Sequence, residues 1–236
     1  PGGDRDGNPF VTAEITRKVA DELRMTLMKC YYNDVKLLSS KLTFPGIDDI
    51  LRELRNSIYA TMFDSSETVH FSQILEKLRD VRVLLIEKYN SLFLDELDML
   101  IGKVRLFKNH FAVLDIRQDH SVHLATIEAV LKHNKIISGS IADLEPSRLL
   151  DILLHDRLDV TIPLPDDTQL QETLKTFAVL PGIQQKNGEE GCCRYIISNS
   201  EDIYSVLFVH ALYRWCNPES GEVTFDIIPL FETMEG

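Results

Sequence analysis

The first half of the chain repeats apolar residues at helical spacing. Four stretches place them three or four positions apart and leave charged residues on the opposite face, as in surface helices that pack on one side. The first predicted helix begins at the N-cap Thr12 and runs towards Leu42, before Pro45-Gly46 breaks the pattern. The apolar positions are Val19, Leu23, Leu27, Cys30, Leu37 and Leu38; Ile50, Leu51, Leu54 and Ile58; Phe71, Ile74, Leu75, Leu78 and Leu85; and Phe93, Leu97, Leu100, Ile101 and Val104.

After His110, short apolar runs alternate with helical segments. Strands are predicted at Phe111–Arg117, Arg194–Ile197 and Phe225–Leu230. Apolar strands that alternate with helices indicate βα units and parallel pairing. The helices between them are expected over Leu124–Leu131, from Pro146 to Leu154, from Leu170 to a stop at Pro181-Gly182, and after Ser200 as the N-cap, with a linker over Val160–Asp167.

The predicted fold class is mainly α with a few parallel β-strands. Residues 1–108 are expected to form an N-terminal helical part that follows a glycine-rich loop, and residues 109–236 the first βα units of an incomplete α/β barrel. Three strands cannot close a barrel, and no further strand pattern is present. Because the sequence also lacks an initiator Met and opens within a glycine loop, we expect it to be a piece of a longer protein.

Composition narrows the function classes. The net charge of -12 argues against a nucleic-acid surface and means that an anionic substrate needs a local cationic pocket. Four cysteines without a CxxC pair favour reduced thiols in a cytoplasmic protein. No apolar run is long enough to span a bilayer and no signal peptide is visible, so no membrane partner is expected.

Candidate chemistry lies in the opening loop and at the strand ends. The loop carries Asp4, Arg5 and Asp6, which can pair with each other or with a ligand, although a polar loop capped by Thr12 explains the same composition. Functional groups of parallel βα folds gather at the carboxyl ends of the strands, and an arginine with a carboxylate there suits a phosphate-bearing substrate and a divalent metal. Such pairs are also often structural. The strand-end residues are Asp115, Arg117, Gln118, Ser198, Asn199 and Glu232.

The seven histidines suggest no catalytic role. His120 and His123 are three positions apart, but no third metal ligand has suitable spacing, so they are predicted to lie at a solvated helix start. His210 falls on an apolar face and is predicted to be a hydrogen-bonded core histidine.

Three segments, in order, resemble the phosphoenolpyruvate carboxylase family. They are the GGDRDGNP loop at residues 2–9, LDIRQ at residues 114–118 and PLFET at residues 229–233. Tyr195-Ile-Ile-Ser198 also resembles the YxIS strand of that family. The resemblance covers the whole chain as an internal segment of a much longer sequence. This sequence departs from the family pattern after PLFET, where Met234-Glu-Gly236 stands in place of the family's usual acidic residues.

The resemblance implies a TIM-like barrel, of which this chain holds part, and roles for particular residues. Arg117 is expected to be catalytic and to bind the substrate phosphate, Leu230 to bind substrate, and Glu232 to bind Mg²⁺ or Mn²⁺. The loop residues Asp4, Arg5, Asp6, Gly7 and Asn8 are expected to lie close to the active site.

The implied reaction is the carboxylation of phosphoenolpyruvate with bicarbonate to oxaloacetate and phosphate. The implied enzyme is a cytoplasmic, metal-dependent homotetramer. Its catalytic histidine, second metal carboxylate and mobile glycine-rich loop fall outside this sequence, so the chain alone is expected to be inactive. Two alternatives are a non-catalytic helical interaction module, and a different phosphate-handling barrel enzyme that does not use bicarbonate.

Overall fold

A computed structural model describes residues 2–8, 10–63, 69–162, 169–219 and 222–231. The described part divides into two compact units, one from Pro1–Val19, Val113–Gln185 and Cys192–Gly236, the other from Ala20–Ala112 and Lys186–Gly191. The boundary between a helical part at residues 1–108 and βα units at residues 109–236 remains a prediction. The described elements are α1 (Ala13–Lys41), α2 (Ile47–Phe63), α3 (Phe71–Lys88), α4 (Leu94–Phe107), β1 (Ile116–Asp119), α5 (His120–His133), α6 (Pro146–His155), α7 (Gln169–Asn187), β2 (Arg194–Ser198), α8 (Ile203–Cys216) and β3 (Asp226–Pro229).

The second unit is helical, as the apolar spacing predicts. Its core joins buried side chains of α2, α3 and α4 with those of α1 beyond Val19. On α1 the buried stripe runs through Leu27, Tyr31, Val35 and Leu38, whereas Cys30 and Leu37, which the spacing assigned to the packed face, are exposed. The stripe therefore follows the i, i+4 and i, i+3 positions of a single helix face.

The first unit contains a parallel sheet in the order β1-β2-β3. Ile116 pairs with Tyr195, and Tyr195 pairs with Ile227. The parallel pairing predicted from the sequence is confirmed, and β2 and β3 begin and end within one residue of their predicted bounds. In the described residues this sheet has three strands, so they show a small parallel sheet within a mostly helical fold.

The strand β1 begins later than predicted. The apolar run at Phe111–Leu114 lies outside the sheet, where Phe111 and Val113 are exposed. Phe111 has a φ of 56°, in the left-handed region, which an extended strand does not contain. The prediction was wrong because apolar composition alone does not distinguish a buried strand from a turn. The run from Phe111 to Leu114 has the composition of a strand, but its backbone turns at Phe111.

Pro181 does not end its helix, contrary to the prediction. Helix α7 continues through Pro181-Gly182 to Asn187. A proline has no N–H to donate to the carbonyl four residues earlier, which here belongs to Phe177. The Asn217 side chain donates to that Phe177 oxygen at 2.9 Å. A distant residue thus satisfies the carbonyl that proline leaves unpaired.

The N-cap of α8 is Asp202 rather than Ser200. The Asp202 carboxylate accepts from the N–H of Tyr204 at 2.8 Å, and the Ser205 side chain completes the capping box. Ser200 instead donates its hydroxyl to the Ile197 carbonyl at 3.1 Å. Within the described residues no helix is long and apolar enough to cross a membrane.

His120 and His123 are buried, which contradicts the predicted solvated helix start. The ring of His123 lies 2.8 Å from the Tyr195 hydroxyl, measured from Nε2, and Phe177 stacks on Tyr195. The helix therefore packs its first turn against the sheet. His210 was predicted to be a hydrogen-bonded core residue, yet it is only partly buried and its Nδ1 has no hydrogen-bond partner among the described residues.

The opening loop extends the sheet beside β1. The N–H of Arg117 donates to the Gly3 carbonyl at 2.9 Å, and the N–H of Arg5 donates to the Arg117 carbonyl at 2.9 Å. Asp4 forms the parallel bridge with Arg117. The approach is so close that a Cβ on Gly3 would lie 1.9 Å from the Asp115 carbonyl oxygen.

A Gly3→Ala substitution should destabilise the chain by about 1–3 kcal/mol, because the added methyl group forces the loop away from β1. Urea denaturation of the 236-residue chain measures this. Gly102→Ala is the matched control: it lies in α4 with open space around it, so alanine should raise stability by up to about 1 kcal/mol. Equal stability changes in the two variants would contradict the close approach.

His123 should make the chain less stable in acid. Burial, and next the charge of His120, lower the pKa of His123 to about 3 from its usual 6.5. Below pH 6.5 the unfolded chain therefore binds a proton that the folded chain excludes, and this costs roughly 1.4 kcal/mol per pH unit until about pH 3.

The test compares unfolding free energies of wild type and His123→Gln at pH 7 and pH 5. The stability advantage of wild type should shrink by about 2 kcal/mol over this range. His155→Gln, at a position with a 71% exposed side chain, should show no such change. A wild-type advantage that does not vary with pH would show that His123 protonates in the folded protein.

Candidate functional site

The loop and β1 bring Asp6 and Arg117 together. The Nη2 of Arg117 lies 2.8 Å from Oδ2 of Asp6, and both side chains are partly exposed. The carboxylate of Asp4 accepts from the N–H of Asp6 at 3.2 Å, which helps to fix the turn. The pair presents one guanidinium beside one carboxylate, and the carboxylate offsets the positive charge of the guanidinium.

Arg5 lies inside the protein and not at this surface. The residue is 4% exposed, and its guanidinium donates to the Gly3 carbonyl and to the Thr16 hydroxyl. Thr16 in turn donates to the Gly2 carbonyl at 2.6 Å. Burial lowers the pKa of Arg5, and this effect is opposed by the nearby Tyr195 and Glu172. Arg5 therefore anchors the loop to α1.

Gly7 and Asn8 form the exposed turn that leads from the loop to α1. Gly7 has a φ of 65°, a conformation that favours glycine. Asn8 accepts from the N–H of Phe10 at 3.1 Å through its side chain and donates its own N–H to the Arg5 carbonyl. Their contacts hold the turn in shape.

Asp119 joins the ends of β1 and β2, and the sequence reasoning missed it. Its carboxylate accepts from the Asn199 side chain at 2.6 Å and from the N–H of Ser121 at 2.8 Å. Burial of Asp119 raises its pKa, but the hydrogen bonds from Ser121 and Asn199 outweigh that effect and lower it overall. An aspartate immediately before a helix is an N-cap signal, which could have identified it.

The other predicted strand-end residues are dispersed. Asp115 lies before β1 and pairs with Arg194 at the start of β2, at 2.8 Å. Gln118 is buried and accepts from the N–H of Asp119. Ser198 is also buried, and its hydroxyl has no partner among the described residues.

Leu230 continues the sheet just beyond β3. Its N–H donates to the Ile197 carbonyl at 2.8 Å, and its carbonyl accepts from the N–H of Ser200 at 2.9 Å. Its substrate-binding role remains a prediction. Glu232, the predicted metal ligand, lies outside the described residues.

The described residues do not supply a metal site. Among them, no three His, Cys, Asp or Glu side chains lie close enough together to hold a metal ion. Asp6 and Asp119 are engaged by Arg117, Ser121 and Asn199.

Comparison with known proteins gives matches along the whole chain. The family model described as phosphoenolpyruvate carboxylase matches residues 1–72 and 52–236. The chain is 27% identical to the phosphoenolpyruvate carboxylase of Gloeobacter violaceus, over 99% of this chain and 31% of the relative. It is 28% identical to that of Haemophilus influenzae strain Rd, over 99% of this chain and 30% of the relative.

The chain thus spans about 30% of the length of the curated relatives it matches. The matched residues include the opening loop, β1 with Arg117, and β3. Since the family model matches far more than half of the sequence, this chain belongs to the phosphoenolpyruvate carboxylase family.

Proposed function

We propose that this chain supplies the substrate-phosphate arginine of a phosphoenolpyruvate carboxylase of its relatives' length. The observation that carries the proposal is the Asp6–Arg117 pair, in which a loop residue fixes a partly exposed guanidinium on a strand. Arginine binds phosphate through charge-assisted and often bidentate hydrogen bonds. Family membership supports phosphoenolpyruvate as the molecule that carries this phosphate.

The proposed reaction makes one bond and breaks one in each half. A bicarbonate oxygen attacks the phosphorus of phosphoenolpyruvate, and the bond to the enol oxygen breaks, which gives carboxyphosphate and the enolate of pyruvate. Carboxyphosphate then releases phosphate and carbon dioxide. The enolate methylene carbon attacks the carbon dioxide, and the product is oxaloacetate.

Arg117 is proposed to bind the phosphoryl oxygens during the first half. A fixed guanidinium stabilises the charge that builds on these oxygens and needs little reorganisation to do so. Asp6 is proposed to hold the guanidinium plane in that orientation through its 2.8 Å contact. Leu230, next to the end of β3, is proposed to line the substrate site.

The proposal also includes a divalent metal ion bound by Glu232 and a TIM-like barrel. Glu232 is proposed as a ligand of Mg²⁺ or Mn²⁺, which would supply Lewis-acid stabilisation of the enolate oxygen when bound. The three parallel strands are proposed to be part of a TIM-like barrel. The whole enzyme is proposed to be a cytoplasmic homotetramer.

The chain alone is proposed to be inactive for an electrostatic reason. Its described strands contain two arginines, and Arg194 pairs with Asp115 at the start of β2. Asp6 offsets the charge of Arg117, and the net charge of -12 repels a trianionic substrate. One balanced arginine does not bind and activate such a substrate without further cations.

Substitution of Arg117 tests the proposal in the full-length protein. Arg117→Ala should lower kcat/KM for phosphoenolpyruvate about a hundredfold or more, because the phosphoryl charge loses its partner. Asp6→Asn should cost about tenfold, since Arg117 keeps its charge but loses its orientation. Oxaloacetate formation, coupled to its reduction by malate dehydrogenase, measures both effects with and without bicarbonate and Mn²⁺.

Arg194→Ala is the matched control, because it removes an arginine from the same sheet at the other end of a strand. It should leave kcat/KM within about threefold of wild type. The 236-residue chain, assayed in parallel, should form no oxaloacetate. Turnover that does not need bicarbonate would favour a different phosphate-handling enzyme, and no turnover by folded full-length protein would favour a non-catalytic interaction module.

A further inference from the structure

A cleft lies in the first unit where β1 and β2 lead into the helices α5 and α8. It has a volume of about 300 Å³, enough for a small ligand. Its apolar wall includes Leu124 of α5 and Leu149 of α6, and its rim carries Glu201. Arg117 does not line it, so the cleft is distinct from the proposed phosphate site.

His120 is the buried polar group of this cleft. The side chain is 7% exposed, and its Nδ1 has no hydrogen-bond partner among the described residues. Its Nε2 lies 3.7 Å from Oε2 of Glu201, which is too far for a hydrogen bond. Polar atoms in a cleft wall are normally paired, so Nε2, which makes no hydrogen bond to the described residues, is the nitrogen that a ligand in the cleft would contact.

The aromatic side chains of the cleft favour a cation. The ring of His120 stacks on Phe208 with centroids 5.9 Å apart, and Tyr204 lies 6.2 Å from Phe208. Aromatic faces attract ammonium groups, and the attraction is stronger where water is excluded. The described lining contains no lysine or arginine that could compete for these faces.

The carboxylates point to the same class of ligand. Asp202 already uses its carboxylate to cap α8, whereas the side chain of Glu201 is 77% exposed. An ammonium nitrogen placed about 2.9 Å from both Nε2 of His120 and Oε2 of Glu201 would bridge the gap between them. The net charge of -12 also favours the approach of a cation.

We propose that this cleft binds a primary amine that carries a small apolar group. The ammonium group bridges His120 and Glu201 and faces the aromatic rings, and the apolar group lies against Leu124 and Leu149. The proposal does not depend on carboxylase activity, because none of these residues belongs to the Asp6–Arg117 pair.

The test titrates the 236-residue chain with phenethylamine and with its neutral analogue 2-phenylethanol. Methyl NMR signals of Leu124 and Ile141, which both line the cleft, localise the binding. Phenethylamine should bind at least about tenfold more tightly than the alcohol, since only the amine gains the ion pair and the cation–π contact. The anionic analogue 3-phenylpropionate should bind more weakly than either.

Two variants separate charge from shape. Glu201→Gln should remove part of the advantage of phenethylamine over the alcohol, because the ion pair is lost and the cation–π contact remains; its exposed position allows the fold to persist. Tyr204→Leu should weaken the amine more than the alcohol. Glu14→Gln, which removes an exposed acidic residue in the first turn of α1, is the control and should leave both affinities unchanged.

Three results would overturn the proposal. They are equal affinities for amine and alcohol in wild type, equal losses in Glu201→Gln and Glu14→Gln, and no shift of the cleft methyl signals with millimolar phenethylamine. The first result would show that the cleft recognises only the apolar group, and the last would show that the cleft does not bind the amine.

Discussion

The backbone pairing of the opening loop with β1 is the interaction on which the candidate site depends. Two hydrogen bonds of 2.9 Å join Gly3 and Arg5 to Arg117. They form only because Gly3 has no side chain, since a Cβ there would overlap the Asp115 carbonyl. This pairing makes the loop a continuation of the sheet, and it sets the residue after Arg5 beside the guanidinium of Arg117. The glycines of the loop therefore act on the site through backbone geometry.

The charged residues of the loop divide between two tasks. The Arg5 guanidinium donates hydrogen bonds to Gly3 and Thr16 inside the protein, where burial lowers the pKa of Arg5. Asp6 remains at the surface and contacts Arg117. Buried, hydrogen-bonded arginines fix local structure at a desolvation cost. This division explains how one short segment can both anchor itself and present an orienting carboxylate.

Much of the fold could be predicted because helical and strand periodicity reflect local burial. The four helices from α1 to α4 and the parallel pairing of the strands follow from the spacing of apolar residues. Other features depend on residues distant in sequence. The Asn217 side chain binds the carbonyl that Pro181 leaves unpaired, so α7 continues beyond this proline. The contact with Tyr195 buries His123 in a helix start that the sequence predicts to be solvated. For the site, the loop motif and Arg117 were visible in the sequence, but the burial of Arg5 was not, because composition does not show which way a side chain turns.

Amide hydrogen exchange at Arg5 and Arg117 tests the central claim most directly. Both N–H groups donate to backbone carbonyls across the loop–strand pairing, so they should exchange as slowly as the N–H of Leu230, which donates to Ile197 within the sheet. Exchange at both positions as fast as in an unstructured peptide would contradict the pairing. The orientation of Arg117 by Asp6 would then lose its structural basis.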